Sequence, residues 1–278
     1  MGIPGTVSGV VLPAGRGRLH RVEHVMGMPI FIDVCDSDVE EAALDHAYEW
    51  LRFVDQTFST YREDSEISRL NRHELTLDQT HSAVRSVLAQ CERLLAETDG
   101  YFDIRAPYAH QASAPTAGRG EIGSVEPSGL VKGWSVLGAG RLLEQAGARN
   151  FAVNAGGDVL LRGHPEDCGH WRVGIRHPRL RHQVAMVLAM TDGSVATSGT
   201  YERGEHIVNP HTGVPPEGVL SVTIVGPDLA TADAYATAAF AMGPHAASWS
   251  AGLDGYDAIV IGSDDVVLTT PGIDGLRV

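Results

Sequence analysis

A change of hydrophobic pattern near residue 150 is the feature that most restricts how this chain can fold. Before that point, apolar residues recur at helical spacing, whereas short apolar runs bounded by turn residues follow it and predict strands. Helices therefore concentrate early and strands late, without the regular alternation of a doubly wound sheet. This order predicts an α+β fold, in which helices of the N-terminal half pack on an antiparallel or mixed sheet from the C-terminal half.

The boundaries of the predicted elements follow from the same two patterns. Residues 24–34 are β-branched enough to predict a strand, and Ser37 followed by Glu40 indicates a capping box at the start of the first helix. Further helices are predicted at about 80–99, 130–146, 231–242 and 244–251. Further strands are predicted at 151–154, 159–162, 171–176, 184–191, 195–198, 219–225, 257–261 and 266–269.

The chain has no clear linker, so we expect one domain over residues 19–278. Residues 1–18 are rich in glycine and predict a flexible N-terminal tail. Residues 105–124 have no hydrophobic period and are rich in Ala, Gly, Pro and Ser, which predicts a surface loop or lid.

Charge and cysteine usage exclude several classes of partner. The chain carries 21 Lys and Arg against 35 Asp and Glu, a net charge of −14. Such a balance is unsuited to nucleic acids and to anionic membranes, because a protein that binds either needs a basic surface.

The N-terminus lacks the order of a signal peptide, and no apolar run reaches the roughly 18–20 residues of a membrane span. The 3 Cys form no paired motif, so we expect a cytoplasmic protein without a membrane anchor.

Two segments carry residue types that suit the binding of a phosphorylated ligand with a metal ion. Asp233 and Thr237 are four residues apart in ADAYAT, so they share a helical face and offer oxygen ligands of the kind that Mg²⁺ prefers. Lys132 follows Gly129 by about one turn in SGLVKGW and can meet a phosphate group. The alternatives are an Asp favoured by the helix dipole and a solvated surface Lys.

Two further segments combine turn chemistry with polar side chains. In NAGGDV, residues 154–159, two glycines allow a backbone to approach a ligand closely, or form a simple turn or bulge. In HIVNPHTG, residues 206–213, two His beside Thr-Gly can line a site, or belong to a structured hairpin loop.

The order of these segments, together with four others, resembles the ApbE family of bacterial FAD:protein FMN transferases. The resemblance runs from about residue 24 to about residue 271. It is carried by VMGMP (25–29), STYREDSEISRLN (59–71), GYFD (100–103), SGLVKG (128–133), NAGGD (154–158), ATSG (196–199), HIVNPHTG (206–213) and ADAYAT (232–237).

The resemblance implies an α+β enzyme that requires Mg²⁺ and splits the pyrophosphate of FAD. Such an enzyme transfers the FMN half to a Thr or Ser hydroxyl of an acceptor protein and releases AMP. The implied metal ligands are the carbonyl of Gly129 and the side chains of Asp233 and Thr237, and His206 is the implied acid/base. The implied FAD contacts are Met26, Tyr61, Tyr101, Phe102, Asp103, Glu126, Lys132 and Ile207.

The chain departs from the family pattern at several positions. Glu126 stands where Asp is usual, Asn209 replaces a common Asp, and His211 replaces a usual Arg or Lys. Leu137 stands where many members have Asp, and Arg105 where Thr is common. We expect these departures to affect the positioning of the substrate more than the binding of FAD.

Two other functions use the same residues. A Mg²⁺-dependent FAD pyrophosphatase would pass the FMN half to water, giving FMN and AMP from the same site. A flavin-binding protein without turnover would need neither a metal nor a base, which the retention of His206, Asp233 and Thr237 disfavours.

The His206→Asn variant is expected to bind FAD normally but to transfer FMN roughly 10²–10⁴-fold more slowly, the usual contribution of a general base. Titration of FAD by its fluorescence and a transfer assay check this expectation. An equal loss of FAD affinity and of turnover would assign His206 to binding or to the fold.

Overall fold

The protein is built around one antiparallel sheet with helices on one face. The structure, a computed structural model, describes residues 19–106, 124–165, 169–180, 183–199 and 207–278. The strands are β1 (Leu19–Val25), β2 (Met28–Val34), β3 (Phe151–Ala155), β4 (Asp158–Arg162), β5 (Trp171–Arg176), β6 (Val184–Met190), β7 (Gly193–Gly199), β8 (Val219–Gly226), β9 (Asp257–Gly262) and β10 (Val267–Thr269). The α-helices are α1 (Ala42–Phe58), α2 (Glu66–Asn71), α3 (Ser82–Glu97), α4 (Ser128–Gln145), α5 (Leu229–Ala241) and α6 (Ala246–Ser250). Short 3-10 helices lie at Leu77–Gln79, Gly243–His245 and Pro271–Gly275.

The main sheet has eight strands in the order β1-β2-β3-β4-β7-β8-β9-β10. Each neighbouring pair in it is antiparallel. Strands β5 and β6 form a separate hairpin, which the chain inserts between β4 and β7. The predicted α+β class is therefore confirmed, and the pairing among the described strands is antiparallel rather than mixed.

Both faces of the central strands of the main sheet are buried, because these strands alternate between two hydrophobic clusters. Phe151 and Val153 of β3 point to the cluster formed with α1, α3, α4 and α5. Ala152 between them points to the opposite cluster, which is centred on the fully buried Trp171 of the β5–β6 hairpin. Period-two alternation sends successive side chains to opposite faces, so the strand can bury both of its sides.

The first helix buries the face that its sequence predicts but does not begin as expected. Ala43, Leu51 and Phe58 are buried on α1. The helix begins at Ala42, and its N-cap residue Glu41 makes no side-chain capping bond. The predicted capping box at Ser37 and Glu40 is therefore wrong.

The strand predicted over residues 24–34 is confirmed from Met28 to Val34, but the chain reverses just before it, so residues 24 and 25 belong to a different strand. Val25 pairs with Met28 across a tight turn, and β1 and β2 run antiparallel on either side. Met26 and Gly27 have φ of 55° and 73°. Positive φ at both central residues is the requirement of a two-residue hairpin turn of type I′.

Two turns of the sheet lie side by side at one end. Ile30 of β2 pairs with Ala155 of β3, so the β1–β2 turn is next to the β3–β4 turn. A Cβ at Gly156 would lie 3.0 Å from the sulfur of Met28, which shows how closely the two turns approach. Strand β7 also ends there, since Ser198 and Gly199 extend past the pairing of β7 with β4.

Other expectations concern residues outside the described ranges. The predicted tail, residues 1–18, and most of the predicted loop at 105–124 lie there. The single domain over 19–278 stays a prediction. In the part of the chain that the structure describes, no helix combines the length and the apolar character needed to cross a bilayer.

Helices α4 and α5 touch backbone to backbone at Gly133. A Cβ placed there would lie 2.4 Å from the carbonyl oxygen of Leu229 and 2.9 Å from Cα of Ala230. These distances are far inside contact range, so a larger residue must push the two helices apart. The last glycine of SGLVKG is thus required by packing.

We expect Gly133→Ala to lower the free energy of unfolding by about 1–3 kcal/mol, the usual cost of overpacking. Helix propensity alone predicts the opposite, a gain of roughly 1 kcal/mol. Urea unfolding followed by circular dichroism measures the difference. Gly275→Ala is the matched control, because nothing lies within 4 Å of its added methyl group. A Gly133→Ala protein as stable as the wild type would contradict the packing argument.

Candidate functional site

An open cleft lies at the start of α4. Its walls come from the segment after α3, the first turn of α4, the segment that begins at residue 207, and α5. These parts are far apart in sequence, and the fold brings them together at one place. The site residues predicted from the sequence that line the cleft are Tyr101, Phe102, Asp103, Glu126, Gly129, Ile207 and Thr237.

Glu126 is held at the N-terminus of α4. The hydroxyl of Thr60 donates to its Oε2 at 2.5 Å, and the backbone N–H of Ser128 donates to its Oε1 at 3.2 Å. A carboxylate here is favoured by the positive end of the helix dipole. Two hydrogen bonds therefore fix the carboxylate in the cleft wall, although Glu has one more methylene than the Asp that is usual in the family.

The wall formed by residues 101–103 depends on the end of α3. The hydroxyl of Thr98 accepts the backbone N–H of Phe102 at 3.0 Å, and Gly100 has a φ of 82° that turns the chain. The ring of His211 packs edge-on against Tyr101, with ring centroids 4.5 Å apart. His211, one of the departures from the family pattern, therefore supports an aromatic residue of the cleft.

Asp233 and Thr237 lie on one face of α5, which packs against α4. The carboxylate of Asp233 is buried, and its Oδ2 accepts the backbone N–H of Gly133 at 3.1 Å. One turn further along α5, the hydroxyl of Thr237 lies 3.4 Å from the point where a Cβ on Gly129 would be. The same hydroxyl forms a hydrogen bond with the hydroxyl of Ser198 at 3.4 Å. The fold thus brings together the three residues predicted to bind a metal.

A hydrogen bond also holds α5 to α3. Burial, together with the charge of Glu97, raises the pKa of Tyr235 to about 12, so this hydroxyl stays protonated at neutral pH. It donates to Glu97 at 3.2 Å. This bond helps to keep the face of Asp233 and Thr237 in place.

Lys132 lies between two carboxylates instead of being solvated. Its Nζ is 2.8 Å from Oδ2 of Asp158 and 3.8 Å from Oδ1 of Asp233. The Lys side chain is 17% exposed, and Asp158 is completely buried. The alternative reading of a solvated surface Lys is therefore wrong. The contact of Lys132 with FAD stays a prediction.

Asp158 was not among the residues predicted for the site, although NAGGD was singled out. The turn reading of that segment is confirmed: Gly156 and Gly157 have φ of 61° and 107°, and the side chain of Asn154 accepts the N–H of Gly157 at 3.0 Å. Asp158 begins β4 directly after this turn. The position of Asp after two glycines was the signal, but its partner on α4 is invisible in the sequence.

Among the described residues, four that were predicted for the site do not line the cleft: Lys132 and Asp233, whose contacts are given above, and Met26 and Tyr61. Met26 lies in the β1–β2 turn and packs against the main core. Tyr61 is 82% exposed and follows Thr60, which contacts Glu126. His206 lies outside the described residues, although the next residue, Ile207, lines the cleft.

The donor groups around Asp233 fit a magnesium ion that is coordinated partly by the protein and partly by a substrate. Among the described residues, no three or more His, Cys, Asp or Glu are grouped closely enough to hold a metal. Asp233, Thr237 and Gly129 instead offer one carboxylate, one hydroxyl and one backbone carbonyl. Mg²⁺ is usually held by one or two carboxylates together with waters and substrate phosphates. This donor set suits that pattern and does not suit a zinc site or an all-carboxylate calcium site.

Comparison with known proteins gives matches over most of the chain. The family model described as the ApbE family matches residues 26–115 and 110–260. The FAD:protein FMN transferase of Vibrio cholerae serotype O1 is 29% identical over 254 residues, which cover 76% of this chain and 75% of the relative. The enzyme of the same description from Escherichia coli strain K12 is 27% identical over 241 residues, covering 69% of each chain.

Solved structures have the same fold. The flavin transferase ApbE of Vibrio cholerae superposes with a TM-score of 0.79 at 23% identity, over 93% of this chain and 99% of that one. The ApbE protein of Thermotoga maritima superposes with a TM-score of 0.82 at 22% identity, over 94% and 99% of the two chains. At this identity the superposition establishes the fold, and it agrees with the α+β architecture described above.

Proposed function

The chain belongs to the ApbE family, and on that premise we propose that it transfers the FMN half of FAD to a Thr or Ser hydroxyl of an acceptor protein, with Mg²⁺ as the required ion and AMP as the second product. Flavin transfer is the activity in the names of relatives that are 27–29% identical over most of the chain. The observation that carries the proposal is that Gly129 and Thr237 meet in the wall of the cleft, while Asp233, one turn away on α5, accepts the backbone N–H of Gly133 on α4.

The cleft has the chemistry of a site for FAD. Phe102 is buried and Ile207 nearly so, and Tyr101 is fixed by His211, which makes a surface suited to flat rings. Asp103 and Glu126 add carboxylates that can accept hydrogen bonds from the hydroxyl or amino groups of the substrate. Tyr61 and Met26, outside this wall, remain proposed contacts for parts of FAD that extend beyond the cleft.

The residues of α4 and α5 prepare a place for the pyrophosphate. A protein of net charge −14 repels such an anion unless positive charge is supplied locally. Asp233, oriented by the Gly133 amide, and Thr237, hydrogen-bonded to Ser198, would hold the metal ion with the carbonyl of Gly129. When bound, Mg²⁺ neutralises the pyrophosphate and polarises the phosphoryl oxygen at the reacting phosphorus.

The transfer needs a base for the acceptor hydroxyl. The hydroxyl oxygen forms a bond to the phosphorus of the FMN half, the bond from that phosphorus to the AMP oxygen breaks, and AMP leaves. The hydroxyl proton goes to His206, the proposed base, which immediately precedes the cleft residue Ile207. An imidazole is suited to this step because its ordinary pKa is near neutral pH.

Mass spectrometry distinguishes the proposed transfer from the two other functions. The protein is incubated with FAD, Mg²⁺ and a candidate acceptor, and both the acceptor and the small molecules are analysed. An acceptor carrying a covalent FMN, together with an equal amount of AMP, supports the proposal. Free FMN and AMP with an unmodified acceptor would indicate a pyrophosphatase, and unchanged FAD would indicate a flavin-binding protein.

Activity is expected to require Mg²⁺ and to fall roughly a hundredfold or more in Asp233→Ala, because the only carboxylate in the proposed donor set is removed. Calorimetry with ADP checks binding apart from turnover, since ADP carries the pyrophosphate and adenosine of FAD. Mg²⁺ should tighten the binding of ADP to the wild type but not to Asp233→Ala.

The matched control is Asp254→Ala, which removes the same charge from an exposed turn. It should respond to Mg²⁺ as the wild type does. If Mg²⁺ tightened ADP binding equally in Asp233→Ala, Asp233 would not be a ligand of the metal.

A further inference from the structure

Asp158 is a fully buried carboxylate beside the proposed metal ligands, and the transfer described above assigns it no task. We propose that Asp158 is a positioning residue: it holds the Lys132 ammonium away from Asp233 and thereby keeps the Asp233 carboxylate open to a divalent cation. The inference rests on the proposed metal site and gives the Gly-Gly-Asp segment a role in it.

The distances show which carboxylate holds the ammonium. Nζ of Lys132 lies 2.8 Å from Oδ2 of Asp158, a close ion-pair distance, but 3.8 Å from Oδ1 of Asp233. A separation of 3.8 Å is too long for a hydrogen bond. Both carboxylates are nearly inaccessible to water, at 0% and 4% exposure, so the screening of these charges is weak. The position of the Lys132 ammonium therefore has a large effect on the electrostatic potential at Asp233.

The position of Asp158 is fixed by the sheet. Its Oδ1 accepts the backbone N–H of Thr197 in β7 at 3.1 Å, and its backbone pairs with Ala155 across the two-glycine turn. Lys132, in contrast, reaches this place on a flexible four-carbon chain from α4. Because Asp158 is fixed and Lys132 is flexible, the carboxylate determines where the ammonium lies.

The charges then explain what Asp158 does for the metal. Asp158 and Lys132 form a neutral pair, so the ammonium competes less with a cation for the carboxylate of Asp233. If Asp158 were neutral, the ammonium would move onto Asp233, and a cation would have to compete with it for the same carboxylate. Oδ2 of Asp233 already accepts the backbone N–H of Gly133. The ammonium and a cation would therefore compete for Oδ1, the oxygen that faces Lys132.

The test measures the binding of Mn²⁺ alone to the full-length protein. Electron paramagnetic resonance gives the concentration of free Mn²⁺ in each titration step. Asp158→Asn keeps the size of the side chain and an oxygen for Thr197 but removes the charge. It should bind Mn²⁺ about 10–100-fold more weakly, the usual cost of losing an outer partner of a metal ligand. Lys132→Met should bind at least as tightly as the wild type, because no ammonium is left to compete.

The double variant Asp158→Asn/Lys132→Met provides the decisive result. It should recover the affinity of the wild type for Mn²⁺, because Asp158 acts only through Lys132. It also covers the case in which Asp158→Asn alone does not fold, since it removes the charges of Asp158 and Lys132 together. A double variant as weak as Asp158→Asn would overturn the inference by showing that Asp158 acts on the cation directly. Full affinity in a folded Asp158→Asn protein would also overturn it.

Asp233→Asn separates this inference from the proposed function. Loss of Mn²⁺ binding in Asp233→Asn, with full binding in Asp158→Asn, would reject the role of Asp158 and leave the proposed metal site standing. Unchanged binding in Asp233→Asn would reject the metal site itself and the role of Asp158 with it.

Discussion

The contact between α4 and α5 at Gly133 is the constraint on which the site depends. No side chain fits there, since a Cβ would lie 2.4 Å from the carbonyl of Leu229. Because the backbones touch, the amide of Gly133 reaches the carboxylate of Asp233, and one turn away Gly129 meets Thr237. A single glycine therefore controls both the packing of two helices and the distance between the proposed ligands of a metal.

Charge is the second constraint, because an acidic protein must handle an anionic substrate. The chain as a whole does not supply the positive charge, since its net charge is −14. It instead buries one ammonium, that of Lys132, between the carboxylates of Asp158 and Asp233. Buried ion pairs contribute little to stability, because desolvation offsets their attraction. The proposed metal site offers a better explanation, because there the carboxylate of Asp233 would have to stay available to a cation.

The turns at one end of the sheet connect these two constraints. The Gly-Gly turn delivers Asp158 to the start of β4, and the end of β7 supplies the amide that holds it. The same strand carries Ser198, whose hydroxyl meets Thr237. The sheet thus provides a rigid support for polar groups that α4 and α5 present, as expected of a site built on regular elements.

The sequence by itself determined the elements that depend on local pattern and the residue types that suit the chemistry. Helix α3 and strand β5 lie where their periodicity predicts, and Asp233 and Thr237 share a helical face because they are four residues apart. The β1–β2 turn was missed because the first of its two positions with positive φ holds Met26 instead of the Asn, Asp or Gly that is typical there. Only the tertiary structure decided that Lys132 pairs with Asp158, because a helix and a strand from separate parts of the chain must pack before their charges can meet.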